Sequence, residues 1–557
     1  MRMKMAVALF GGFFLISFLI YGSALNNDFV LWDDHYLIVG NPIVKEISLW
    51  SLKEAFKTFD PELYIPATLM SYQIDHLLWG MNPFGFHLTN LVLHTMNALL
   101  VMMFLFLLLR NVHLSLFVGL LFLVHPLHTE AVAWASARKD VLSSFFFLLS
   151  VCSYLQWRER ENGQAGSGKL LYSFSIFAFA LGLLAKVSII MLPVILLLIE
   201  WLLCHRRLLA SSFVTISRLT PYFLLSVMFG IVALFGKKEL VTILTPWETV
   251  LMAGRSAMFS LQHLFLPIGL SPIYPYNDAI HIGTPDLFTA LVIVMAITFL
   301  TLFLKKYQCV LAFSWFFFLL TLAPTFTTFA KAGDVYVTSD RYAYLPSIGI
   351  FLMFGLFCHW VMRKVHMRYA PALFAVIILP LSVLSSEEAQ IWKDSEALFR
   401  HVIMLYPKSV AAQNNLGIIL LKQGDVLQGK EHFESALKIR PYAKSHVNLG
   451  DIFRMQRQWT EAVSEYEKAL AIDPEEGAAH FNIGLVYAAQ NYLDDAKEKF
   501  EIVIAIDSKH IGALNNLGAM EFQQGNIEKA RRMFERALEI DPGFIDAQEN
   551  LRLINAS

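Results

Sequence analysis

The stretch FAVIILPLSVLSSEEAQIWKDSEALFRHVIMLYP, Phe374–Pro407, changes character in its middle. Up to Ser386 it is almost wholly apolar; beyond it Glu387, Glu388, Lys393, Asp394, Glu396 and Arg400 follow in quick succession. The first kind of run belongs in hydrocarbon and the second in water. The chain therefore reads as two parts, a hydrophobic body from the N-terminus to about Ser386 and a charged domain after it.

The N-terminal side of this boundary carries most of the apolar weight. The 557 residues are 56% hydrophobic, and the mean hydropathy of +0.53 exceeds that of an ordinary soluble protein. The net charge of −1 conceals an uneven distribution, sparse before Ser386 and dense after it. Cys152, Cys204, Cys309 and Cys358 lie in or beside apolar runs without CxxC spacing, which suggests neither a zinc site nor a disulfide framework. A bilayer core needs roughly 20 apolar residues per helix, and candidate spans fall near 5–23, 86–109, 112–128, 141–157, 170–186, 187–204, 220–236, 285–304, 308–324, 343–362 and 369–386. Arg2/Lys4, Arg110, Arg158/Arg160/Lys169, Arg206/Arg207/Arg218, Lys305/Lys306 and Arg363/Lys364/Arg368 occupy alternate connections, so the positive-inside rule makes those ends cytoplasmic. The stretch 249–266 would break the alternation and reads as a re-entrant or interfacial helix. About eleven spans then place the C-terminal domain outside. The start, MRMKMAVALFGGFFLISFLIYGSAL, has the form of a signal sequence, but reads better as an uncleaved first span that tethers the aspartate-bearing segment behind it.

On the C-terminal side the chain repeats itself with a period of about 34 residues, the mark of tetratricopeptide (TPR) helix pairs. Leu416-Gly417, Leu449-Gly450, Ile483-Gly484 and Leu517-Gly518 mark first helices; Gly429/Phe433/Ala436, Ala462/Tyr466/Ala469, Ala496/Phe500/Val503 and Ala530/Phe534/Ala537 mark second helices. Pro407 with Phe399 suggests a half-repeat in a junction over 387–412, ahead of four repeats and a capping helix over 413–557. Such a solenoid suits a peptide or protein partner. Lys422, His432, His446, Arg454 and His480 read as solvated or packing residues, and no basic stripe points to nucleic acid.

The chemistry lies in the external connections: 24–85, which holds amphipathic helices and folds onto the membrane surface, the turn 125–140, the junction at Lys186, and the loops 237–284 and 325–342. Ionisable residues at membrane depth are costly and mark function by default. Asp33-Asp34 are adjacent carboxylates, whose repulsion raises one pKa toward a general base's range; a solvated loop is the plain alternative. LFLVHPLHTEAVAWASARKD brings His125, His128, Glu130, Arg138 and Asp140 into one turn. His125, His128 and Glu130 have metal-ligand chemistry, although Pro126 disrupts a helix there and hydrogen bonding accounts for them equally. No metal or other cofactor is expected. Arg138 and Lys139 suit an anion or pair with Asp140. Lys186, Lys237/Lys238, Arg255 and Arg341 add positive charge to the disfavoured face, which a phosphate ligand explains and snorkelling to lipid headgroups explains in part.

NNDFVLWDDHYLI, HPLHTEAVAWASARKD, GLLAKVSI and SDRYAYLPSIG, in that order and followed by TPR repeats, resemble the transmembrane and TPR-containing O-mannosyltransferase family of the GT-C glycosyltransferase superfamily. The resemblance covers essentially the whole chain. It implies an all-α, polytopic GT-C-like catalytic body over 1–386 with a TPR solenoid, and an enzyme that transfers sugar from a polyprenyl phosphate to a protein Ser or Thr hydroxyl with inversion. Asp33 or Asp34, Asp33 by preference, would be the base; Lys186, Arg341 and Arg138 would hold the donor phosphate; His125, His128 and Glu130 would shape the sugar pocket or hold Arg138, with Asp140 in support; and Tyr342 and Tyr344 would stack on sugar or serve packing alone. The compact chain reads as prokaryotic, in a cytoplasmic (inner) membrane with the repeats periplasmic, so an undecaprenyl carrier fits better than dolichyl. Two other readings remain: a membrane-anchored TPR scaffold without catalysis, and a transferase acting on lipid or glycan.

Overall fold

The computed structural model describes residues 2–59, 63–161, 168–203, 212–236, 244–303, 309–331, 334–365 and 370–556. Among the described residues the fold is helical, apart from a minimal hairpin pairing Ala330–Lys331 with Asp334–Val335 and an isolated bridge between Pro275 and Tyr336. Two compact units are present, Met1–Leu398 and Phe399–Ser557.

In the first unit, eight helices among the described residues are long and apolar enough to cross a membrane. A ninth arises if Val112–Val124 and Pro126–Ala133, bent by 56° at His125, count as one span. Proline at 126 removes a backbone donor and forces the break. The two remaining expected spans differ in kind. Val187–Leu203 is a shorter apolar helix that opens with a 3-10 turn, Val187–Met191, and Ser347–Val365 carries Arg363 and Lys364 in its last turn. The expected interfacial segment is the helix Pro246–Phe265, initiated by a Thr245/Glu248 capping box. Phe104, Phe117, Phe122, Leu148, Leu192 and Phe317 are buried in one continuous cluster. Some polar groups among them are paired, as hydrocarbon favours: Tyr222 donates to Ser175 Oγ at 2.8 Å, and buried Glu200 accepts from Arg158 at 2.5 Å and Tyr154 at 2.8 Å.

Helix direction sorts the charges into two ends. Arg110, Arg158 and Arg160, and Arg363 and Lys364, lie where the helices Pro83–Leu109, Arg138–Glu161 and Ser347–Val365 finish. At the other end, Asp33 follows Arg2–Tyr21, Lys139 opens Arg138–Glu161, Lys186 follows Gly168–Ala185, and Arg341 precedes Ser347–Val365. The helix Ala370–Ile391 also finishes at this second end, where Ser385 Oγ donates to Val124 O at 2.7 Å. Arg206, Arg207, Lys237, Lys238, Lys305, Lys306 and Arg368 lie outside the described residues.

The first connection folds into short helices, Pro42–Lys45 and Leu49–Ala55, and a longer one, Pro66–Trp79, which stops at Gly80 with φ +61°. Asn41 and Ser48 cap the two short helices through their side chains, satisfying otherwise orphaned N–H groups. Leu49, Leu52 and Phe56 stand exposed at helical spacing.

The second unit stacks four helix pairs: Val410–Lys422 with Val426–Ile439, Ala443–Met455 with Trp459–Ile472, Gly477–Ala489 with Leu493–Ile506, and Ile511–Gln523 with Ile527–Ile540; Ile545–Ala556 follows them. Glycine in the first helix lets the aromatic ring of the second approach. A Cβ on Gly450 would lie 2.5 Å from the Tyr466 ring, and one on Gly417 equally close to Phe433. Neighbouring repeats are joined by polar bridges, Asn448 to Asn414 at 2.9 Å and Asn482 to Asp451 at 3.0 Å. His446 bonds Glu465 and Arg454 pairs with Asp451, both within the solenoid.

Candidate functional site

Three helix ends and two loops converge at the second end of the body. The turn 134–141 is pinned to neighbouring helices: Asn90 donates to Trp134 O at 2.9 Å, Tyr72 OH to Ala135 O at 3.2 Å, and Asn97 to Val141 O at 2.9 Å. Lys186 is set by the last turn of its helix, its N–H donating to Gly182 O. The loop bearing Arg341 is tied by Val337 N to Tyr274 O and Tyr276 N to Val335 O.

These supports bring together three cations, each facing one carboxylate. Lys139 lies 3.0 Å from Asp33, Lys186 lies 2.5 Å from Asp140, and Arg341 pairs with Glu130 through both its guanidinium and its backbone N–H. Lys139 is within electrostatic reach of Arg341 and Lys186, so the pairs form one cluster. Aromatic faces separate the cations. Trp134 stands under Lys139 and Arg341, at 5.2 and 4.9 Å, and Tyr342 under Lys186 and Arg341, at 5.6 and 5.0 Å. Such contacts hold positive charge without consuming its hydrogen-bonding capacity. Asp33 is the most open member, its side chain 20% exposed against 4% for Lys139. Asp140 Oδ2 and Arg341 Nε are buried without a partner, leaving an acceptor and a donor in the cluster unspent.

Asp34 behaves differently from its neighbour. It is fully buried; Oδ2 accepts from Val30 N–H at 2.9 Å, and Oδ1 accepts from Ser136 N–H at 2.9 Å and from the Ser136 hydroxyl. Burial pushes its pKa up to about 6, against those hydrogen bonds, and the charge on Asp33 contributes least. The raised pKa expected from adjacent repulsion is thus a burial effect. Asp34 anchors the loop, both of its carboxylate oxygens taken up by donors of Val30 and Ser136.

Other expectations are corrected by packing. Arg138 is fully buried and committed to Asp75 at 2.7 Å, Phe86 O at 2.8 Å, Ser71 at 3.2 Å and Asn90; it braces the helices Pro66–Trp79 and Pro83–Leu109 and offers nothing to a phosphate. Glu130 holds Arg341, not Arg138. His125 bonds Leu264 O at 3.1 Å, and His128 sits between Phe122 O at 2.7 Å and Ser347 Oγ at 3.0 Å, so neither joins Glu130 in a ligand set or lines an open pocket. Tyr344 is buried, its hydroxyl against His94 at 2.8 Å and Asn97 at 3.1 Å, and cannot stack on sugar. Arg255 pairs with Asp286. Asp340, buried and accepting from Tyr274 OH at 2.8 Å, has its pKa raised well above the carboxylate range by burial and then by Glu130's charge.

The sequence reading missed Asp75 and Asn90, the partners of Arg138, which lie on ordinary helical faces without a motif. It also missed Trp134 as a platform, although Trp134 stands inside the quoted turn. Trp392 carried no signal at all; it stacks on Trp134 at 5.7 Å and 23°.

Models of the tetratricopeptide repeat match residues 410–442, 450–491 and 512–544. Protein O-mannosyl-transferase TMTC1 of Mus musculus is 24% identical over an alignment covering 80% of this chain and 59% of that protein. Protein O-mannosyl-transferase Tmtc3 of Drosophila melanogaster is 24% identical, covering 74% and 52%, and protein O-mannosyl-transferase TMTC4 of Homo sapiens is 31% identical over 31% and 26%. The alignments with the first two thus span little more than half of those relatives' length. Among solved structures, the TPR protein YrrB aligns with a TM-score of 0.24 at 22% identity, over 32% of this chain and 92% of that one. The chain is thus similar, over most of its length, to proteins named protein O-mannosyl-transferase, and it carries tetratricopeptide repeats.

Proposed function

We propose that the chain is a GT-C-type membrane glycosyltransferase that moves a sugar, mannose by analogy with its relatives' names, from a polyprenyl phosphate to a Ser or Thr hydroxyl of an acceptor protein. The carrying observation is the convergence of Lys139, Lys186 and Arg341 in one cluster with Asp33, Asp140 and Glu130, at the ends of the helices away from Arg110, Arg158 and Arg363. By the positive-inside rule that end is non-cytoplasmic. The proposed setting is a prokaryotic inner membrane, with an undecaprenyl-type donor and a periplasmic acceptor.

In this reading the donor phosphate displaces carboxylates from Lys139, Lys186 and Arg341. Loss of Lys139 turns Asp33 from a paired anion into a base. Asp33 takes the proton of the acceptor hydroxyl, the hydroxyl oxygen bonds to the anomeric carbon, and the carbon–oxygen bond to phosphate breaks with its electron pair on the phosphate. Attack from the face opposite the leaving group inverts the anomeric centre. The three cations stabilise the charge that develops on polyprenyl phosphate and supply what a divalent ion would otherwise provide. Asp140 Oδ2, unpartnered and buried, is an acceptor for a sugar hydroxyl, and the exposed ridge of Leu49, Leu52 and Phe56 seats in lipid. The repeats bind the acceptor protein.

The test is transfer from radiolabelled polyprenyl-phosphate sugars to Ser/Thr-containing proteins by the full chain in nanodiscs. Wild type transfers at least one sugar, and Asp33→Asn falls by at least about a hundredfold, the scale of a lost general base. Absence of transfer from every donor, or full activity in Asp33→Asn, overturns the reading.

A further inference from the structure

The loop that carries Asp33 is held from behind by a segment more than 350 residues away in sequence. Asn27 Nδ2 donates to Ala389 O at 3.4 Å, Asp28 N–H donates to Lys393 O at 2.9 Å, and Leu31 N–H donates to Ser395 Oγ at 2.7 Å. All of these residues belong to the membrane unit, Met1–Leu398. Leu398 packs with Ala24, Val30, Ala137 and the Trp134/Trp392 pair in one buried cluster.

The beginning of the helix Ser395–Leu405 shows how Ser395 becomes available. A serine at a helix start ordinarily caps its own helix. Here Asp394 does so, Oδ1 accepting from Ala397 N–H at 2.8 Å, and Ser395 Oγ is turned outward to Leu31. Within the loop, Trp32 N–H donates to Val30 O, Val30 N–H to Asp34, and Tyr36 and Leu37 N–H to Asp33 O. Asp33 lies between two anchors, the buried Asp34 on one side and the Leu31–Ser395 bond on the other. Trp392 acts on the other member of the pair: it fixes Trp134, whose face carries Lys139.

We propose that Ser395 and Trp392 are positioning residues for the Asp33–Lys139 pair. Neither touches substrate; Ser395 sets the loop two residues before Asp33, and Trp392 sets the aromatic shelf beneath Lys139. The functional unit consequently extends through Leu398 and does not end with the last apolar run at Ser386. This inference rests on the reading of Asp33 as the base.

Two measurements on the full chain test it: amide hydrogen exchange over residues 27–37, and steady-state kinetics. In Ser395→Ala, exchange over 28–34 rises about fivefold to tenfold, the equivalent of one lost hydrogen bond, while exchange elsewhere is unchanged. Turnover falls about tenfold to a hundredfold through misplacement, with donor KM within about twofold, and Ser395→Thr restores both. Trp392→Phe keeps most of kcat, whereas Trp392→Leu lowers it and shifts the pH–rate profile. Unchanged exchange over 28–34 in Ser395→Ala overturns the proposal, as does a uniform rise across the body, the sign of a purely structural role. If the wild type transfers no sugar, the functional reading fails, and the catalytic role of Ser395 and Trp392 falls with it; the exchange arm still decides whether Ser395 holds the loop.

Discussion

At neutral pH Asp34 is an ionised, buried acceptor, and its raised pKa has a cost. A pKa of about 6 in the folded chain against 3.8 in the unfolded one means that the folded state holds the proton more tightly. The stabilisation is full below about pH 4, is lost as pH rises through about 6, and its loss amounts to about 3 kcal/mol. Asp34→Asn has no such dependence, so its stability relative to wild type improves between pH 4 and pH 7, although the amide opposes an N–H donor and costs about 1–3 kcal/mol overall. Unfolding in micelles across that range checks this, and parallel wild-type and mutant curves would rule it out. Arg138 poses the opposite case, a fully buried cation bonded to Asp75, Phe86 O, Ser71 and Asn90. Arg138→Met strands Asp75 and destabilises by about 3–5 kcal/mol, with donor KM changed less than about threefold in the protein that folds; a large rise in KM at unaltered stability would restore Arg138 as a phosphate ligand.

At the scale of elements, the repeats are legible because each obeys one local rule. A small residue in the first helix faces an aromatic one in the second, at a fixed period, so quartets such as Gly450, Ala462, Tyr466 and Ala469 announce their own packing. Gly450→Ala puts a methyl 2.5 Å from the Tyr466 ring and destabilises the solenoid by about 1–3 kcal/mol; limited proteolysis within 443–472 reads the effect, and wild-type resistance would show that the ring yields. The turn 125–140 is legible only as a concentration of charge. Which of its residues meet the Asp33 loop depends on a 56° bend and a run of short helices that turn Glu130 and Lys139 toward the cluster and bury His128 and Arg138. No residue spacing encodes that division.

For the whole molecule the side of the membrane matters most. Because the helix Ala370–Ile391 finishes beside Trp134, the chain leaves the body at the end where Asp33 lies, whatever the exact number of spans. The repeats are then expected in the non-cytoplasmic compartment. Asp546→Cys in the helix Ile545–Ala556 reacts with an impermeant maleimide added outside intact cells or spheroplasts; reaction only after lysis would reverse the assignment. The sequence alone determined the two-part division, the helical class, the repeats and the stretches that carry charge into lipid, since hydropathy and period are properties of neighbours along the chain. Only the tertiary structure decided which charges meet. Asp33 and Lys139, Glu130 and Arg341, and Leu31 and Ser395 are separated by 106, 211 and 364 residues, and their pairing follows from burial and hydrogen-bond satisfaction, which no local pattern records.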